Sequence, residues 1–126
     1  MLKEYSDKNK TLFYNHSEID FSLIEDYKKV VVLNPVEKVL ENLEYIPLKF
    51  KDYISEMHEQ YDVVFSSSQD NHLEPNDMML SYYGLIKNGG IMIYKIKKEF
   101  DEMIDVLKNK FDSYEKINNY YVFKKC

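Results

Sequence analysis

Tyr61-Asp62-Val63-Val64-Phe65, then Ser66-Ser67-Ser68-Gln69-Asp70-Asn71-His72, then a helical stretch and Asn88-Gly89-Gly90-Ile91-Met92-Ile93-Tyr94, is the segment that decides the fold. An unbroken apolar run such as 61–65 suits a strand buried on both faces of a parallel sheet. A polar loop is expected from Ser66. A helix is expected to start near Pro75, with Asp77 in its first turn, and to turn Met78, Tyr82, Leu85 and Ile86 inward. Asn88-Gly89-Gly90 supplies the expected stop, and 91–94 the next strand. Strand, helix, strand with short connections implies a right-handed crossover between parallel neighbours.

The same alternation extends in both directions. Upstream, Thr11-Leu12-Phe13-Tyr14 and Lys29-Val30-Val31-Val32-Leu33 read as strands. Between them, Ser17 and Asp20 have capping-box spacing, and a short helix is expected to run through Tyr27 with Ile19, Leu23 and Ile24 inward. Pro35 suits the first turn of a further helix, where Val36, Val39, Leu40 and Leu43 make a core-facing stripe. Residues 45–50 read as an edge strand, because Pro47 cannot donate to a ladder. Residues 51–60 read as a helix with Ile54 and Met57 inward. Downstream, Phe100, Met103, Ile104, Leu107 and Phe111 follow helical spacing. Residues 113–117 and 120–124 then form a hairpin about Asn118-Asn119, since asparagine tolerates the left-handed turn conformation. The reading is one domain over 1–126, an α/β three-layer sandwich whose mainly parallel sheet ends in an antiparallel hairpin.

Composition narrows the function. A net charge of −5 argues against an electrostatic nucleic-acid binder. The lysine pair 124–125 and the group Lys95, Lys97 and Lys98 read as solvated faces. The one cysteine, Cys126, excludes an internal disulfide, and with no transmembrane-length run and no signal-type N-terminus the expected location is cytoplasmic. His16, His58 and His72 are scattered without metal-ligand spacing, so no metal is expected. No phosphate-binding glycine motif and no Gly-x-Ser-x-Gly elbow occurs.

The run 61–65, its polar loop, and Tyr82-Tyr83-Gly84-Leu85-Ile86-Lys87-Asn88-Gly89-Gly90-Ile91-Met92-Ile93 resemble the fourth strand, fourth helix and Gly-Gly turn of class I S-adenosylmethionine-dependent methyltransferases. The terminal hairpin fits the same Rossmann-like fold. The loop after 61–65 and the Tyr82-Tyr83 pair also resemble spermidine synthases. The resemblance implies S-adenosylmethionine or a derivative as cofactor, with methyl or aminopropyl transfer as the reaction. It places cofactor contacts at Asn15 and His16 after the first strand, at Asn34 and Glu37 after the second, at Phe50 after the third, and at Ser66 and Ser67 after the fourth. It leaves Asp70 as the catalytic acid of that loop, with His72 two residues on. In the family the first loop is glycine-rich; here it is Tyr14-Asn15-His16-Ser17, whose side chains crowd the usual cofactor approach.

Two functions follow. One is a small adenosyl-binding transferase, in which positioning of an already activated sulfonium supplies most of the catalysis. The other is a non-catalytic relative that binds a protein partner or a second copy of itself, with Tyr120-Tyr121 and the hairpin edge as the surface. Side chains of Tyr14 and His16 filling the adenosyl space would favour the second.

Overall fold

The computed structural model describes residues 2–16, 18–33, 40–56, 59–67, 74–96 and 102–126. Its strands are β1 (Thr11–Asn15), β2 (Lys29–Val32), β3 (Leu43–Tyr45), β4 (Tyr61–Ser67), β5 (Ile86–Lys95), β6 (Ser113–Ile117) and β7 (Tyr120–Lys124). Helices α1 (Phe50–Glu56), α2 (Pro75–Leu85) and α3 (Glu102–Lys110) lie between them, and short 3-10 turns occupy Leu2–Tyr5 and Phe21–Leu23. One sheet runs β3-β2-β1-β4-β5-β7-β6. β1 to β5 pair in parallel, and β7 enters antiparallel between β5 and β6.

Alternation along β1 shows how one strand serves two cores. Phe13 packs on the face that α1, α2 and α3 cover, with Tyr53, Tyr82, Leu107 and Phe123. Leu12 and Tyr14 point the other way, to Leu2, Ile24, Tyr27 and Val63. Each valine of β2 is fully buried, as its unbroken β-branched run predicts. The hairpin forms as read, with Asn118 at φ 54°.

Several elements depart from the sequence reading. Instead of a helix through Tyr27 there is one 3-10 turn, capped by Asp20, whose carboxylate accepts bonds from the Ser22 amide and hydroxyl. Ile24 still reaches the core from this irregular path. The helix expected after Pro35 lies largely outside the described residues; its last stripe position, Leu43, starts β3. Phe50 opens α1 instead of closing a strand, and Pro47 falls just beyond β3, an edge strand as expected. Met57, His58 and Phe100 lie outside the described residues.

The Asn88-Gly89-Gly90 segment does not stop α2, which ends at Leu85. It lies within β5, where the pairing with β4 slips between Tyr61↔Ile86 and Val63↔Ile91, so the extra residues bulge out. The tail secures this bulge: the Gly89 amide donates to the Lys125 carbonyl at 2.7 Å, and the Lys125 amide to the Gly90 carbonyl at 3.0 Å. Lys125 is also not a solvated lysine. Its buried ammonium donates to the carbonyls of Tyr83 (2.9 Å) and Ile86 (2.7 Å) at the end of α2 and lies 4.2 Å from the centre of the Tyr83 ring. A helix C-terminus offers unpaired carbonyls with negative partial charge, and a cation satisfies both needs. Burial, then the neighbouring Lys110, lowers the Lys125 pKa.

Candidate functional site

From β1 the chain leads to β2 on one side, while β4 lies on the other, so the strand order reverses between β1 and β4. Ligands of open α/β sheets bind outside the carboxyl ends of strands at such a point. The buried polar side chains among the described residues are Asn15, His16, Ser66, Ser67 and Lys125, and all but the last stand here. The register pairs Asn15 with Ser66 directly. Burying polar groups costs free energy unless they are bonded, so their concentration at this edge needs a reason. Ser66 and Ser67 belong to β4 itself and not to the loop expected from Ser66.

The pleat splits these residues into two sets. On the helical face, the Asn15 amide donates to the Tyr82 phenol oxygen at 2.8 Å, and the Ser66 hydroxyl donates to the same oxygen at 2.7 Å. Phe50 is buried and stacks on Tyr82 with ring centres 4.7 Å apart, closing the set from below. On the opposite face, His16 Nδ1 and Ser67 Oγ are hydrogen-bonded at 2.7 Å. The His16 ring meets the edge of Phe65 at 5.7 Å, and Tyr14 stacks on Phe65 at 4.9 Å. Asn34, Glu37 and Asp70 lie outside the described residues, as does Ser17.

The sequence reading turns Tyr82 toward the core and puts it in a Tyr-Tyr pair, but does not name it among the site residues. The signal was its hydroxyl, which a buried tyrosine must satisfy. Burial raises its pKa to about 12, while the bonds from Ser66 and Asn15 act in the lowering direction. Tyr82→Phe keeps the ring stack but removes the shared oxygen. The expected loss in urea unfolding is on the order of 1–3 kcal/mol for each polar group deprived of its partner. A loss near zero would mean the three side chains do not form a working network.

A cavity of about 330 Å³ opens on the His16 side, bounded by Tyr14, His16, Phe65, Lys95 and Tyr120 together with the segment 18–20. That volume lies in the range of small-molecule sites, ~300–1,000 Å³. Tyr14 and His16 wall this cavity, and Asn15 and Ser66, on the other face of the sheet, are not part of its lining. Tyr120 faces this cavity and Tyr121 is buried in the core, so the pair does not form one exposed surface. No helix is long and apolar enough to cross a membrane among the described residues.

A mainly parallel sheet ordered 3-2-1-4-5-7-6, with its last strand reversed, is the class I S-adenosylmethionine-dependent methyltransferase fold, and the chain has that fold. Solved structures agree. The N-methyltransferase NodS of Bradyrhizobium japonicum WM9 superposes with a TM-score of 0.74 at 9% identity, over 98% of this chain and 90% of NodS. NodS in complex with S-adenosyl-L-homocysteine gives 0.68 at 8% identity, over 91% and 76%. An rRNA methylase of Streptococcus thermophilus gives 0.62 at 15% identity, over 99% and 92%. No protein-family model matches the sequence, and no curated protein matches it.

Proposed function

We propose that this protein binds S-adenosylmethionine, or its decarboxylated relative, at the carboxyl edge of β1 and β4, and transfers a group from it. The observation that carries the reading is the concentration of buried polar side chains at the point where the strand order reverses. The residues fit such a ligand in part. Asn15, His16, Ser66 and Ser67 offer amide, imidazole and hydroxyl groups at the edge. Asn34 and Glu37 follow β2 in the sequence, where ribose hydroxyls would be held, and Asp70 follows β4 in the sequence as the acid of that loop. Phe50 contributes from beneath, through its stack on Tyr82.

When bound, the sulfonium would supply an activated carbon: the acceptor's lone pair would form the new bond as the C–S bond broke to leave a neutral thioether. A methyl group is transferred from the full cofactor and an aminopropyl group from the decarboxylated one. The protein's own part is to hold and orient, which suits a site of neutral hydrogen-bonding groups.

A second reading has its own support. Asn15 and Ser66 already bond to Tyr82, and the first loop has no glycine to let a ligand approach the backbone. Those features suit a scaffold that binds a protein partner or a second copy. Calorimetric titration with S-adenosylmethionine, its decarboxylated form and S-adenosylhomocysteine separates the two. The expected result is micromolar binding, weakened about tenfold by Asn34→Ala or Asp70→Ala. No heat from any of the three, with folded protein, overturns the ligand-binding reading in favour of the scaffold.

A further inference from the structure

The cavity on the His16 side has a chemical character of its own. Three aromatic rings make a continuous wall: Tyr14 stacked on Phe65, and Tyr120 tilted against Phe65 with centres 6.4 Å apart. Glu18 and Asp20 stand at its open side. Both are exposed, and neither is used up by an ion pair among the described residues. Among the described residues, the one lysine in the lining is Lys95, at the end of β5, against the two carboxylates.

We infer that this cavity receives the cationic end of the acceptor, an amine that is protonated at neutral pH. This deepens the transferase reading above and rests on it. Aromatic faces attract cations through the ring quadrupole, and more strongly once the cation is desolvated. Carboxylates at the mouth attract the same charge at longer range and repel an anionic acceptor. Position supports the assignment: the cavity spans the ends of β1, β4, β5 and β7, and its wall includes His16, a proposed cofactor contact, so a ligand in it would lie next to the cofactor. The Tyr14 phenol reports the local field. Its pKa is raised first by burial and then by the negative charge of Asp20, with Tyr120 and Glu18 acting in the same direction. The amine sheds one proton to water at the mouth, which restores the lone pair that transfer requires.

The test uses the full chain and three probes of one shape and different charge: benzylamine, benzyl alcohol and benzoate. Each is titrated with and without S-adenosylhomocysteine and followed by amide NMR shifts. Benzylamine is expected to bind about tenfold tighter than benzyl alcohol, with benzoate weakest, and to shift signals of 18–20, Phe65 and Tyr120. The double variant Glu18→Gln, Asp20→Asn is expected to remove most of the preference for benzylamine over benzyl alcohol. The amide introduced by Asp20→Asn keeps an oxygen for the Ser22 bonds, so the turn is retained. Equal binding of amine and alcohol, a preference for benzoate, or shifts confined to other surfaces would overturn the inference even if S-adenosylhomocysteine binds. Charge-selective amine binding without any S-adenosylhomocysteine binding would remove the transferase reading and leave the cation cavity standing.

Discussion

Stability is expected to collapse above pH 10, more steeply than for a protein with solvated tyrosines. Tyr14, Tyr27, Tyr53, Tyr61 and Tyr82 all have phenols whose pKa burial raises from 10.0. Tyr53 and Tyr61 also hydrogen-bond each other in the core, and the Tyr27 hydroxyl donates to the Leu2 carbonyl at 2.8 Å. The sign follows from linkage. A group whose pKa is raised on folding contributes fully below its unfolded value and loses that contribution as pH rises toward the folded value. For Tyr82 the window runs from 10.0 to about 12. Each pH unit inside it costs about 1.4 kcal/mol for that residue alone, and the other four act in the same direction. The check is urea unfolding at a series of pH values with tyrosinate absorbance followed in parallel. Ionisation of most tyrosines is expected to coincide with loss of structure. Free titration near pH 10 with the fold intact would show that these hydroxyls are not held as described.

Two glycines are expected to respond to alanine with opposite signs. A Cβ at Gly90 would stand 2.8 Å from the Asp62 carbonyl oxygen and 2.9 Å from that of Lys87, both backbone atoms. The bulge of β5 and the adjoining strand would have to move apart. Overpacking of this kind costs about 1–3 kcal/mol, and more where backbone must shift. Gly84, inside α2, has nothing within 4 Å of the same added atom. Gly84→Ala is therefore expected to stabilise by about 0.5–1 kcal/mol, through helix propensity and a less mobile unfolded chain. Midpoints of thermal and urea unfolding for the two variants decide it. Similar effects of one sign would contradict the close approach at Gly90.

These cases show which parts of the structure the residues announce. Val30-Val31-Val32 and Val63-Val64 are legible because burial on both faces demands unbroken β-branched runs. Leu107 and Phe111 are legible because a one-sided helix needs its period. The segment 18–27 is not, because Ile19, Leu23 and Ile24 can pack from an irregular path as well as from a helix, and Asp20 spends its carboxylate on a tight turn. Ser66 and Ser67 read as loop because serine has little intrinsic pull toward strand; pairing with Tyr94 and Lys95 on one side and of Asn15 with Ser66 on the other overrides it. Gly89-Gly90 carries a true backbone demand, φ 85° at Gly89 and the close approach at Gly90, but the same dipeptide serves helix ends and strand bulges alike. Asn15, His16, Ser66 and Ser67, the contacts that the methyltransferase resemblance implies, stand together and buried at the strand ends. Their division between two faces, and the part of Tyr82, depend on tertiary contacts that no local pattern encodes.

The order β5-β7-β6 also has a bearing on how the chain reaches this state. The later strand of the hairpin takes the inner place, so among the described residues β6 pairs with β7 alone. A hairpin with a two-residue turn closes on the microsecond scale from local contacts alone. Joining β7 to β5 first would leave β6 to find its place around an occupied edge; closing the hairpin first lets both strands arrive in one docking event. Until that event the hydrogen-bonding edge of β5 is open, with Met92 and Ile93 beside it, and would template pairing with another chain. Rapid closure of the hairpin thus shortens the time for which the nascent sheet is exposed to misassembly.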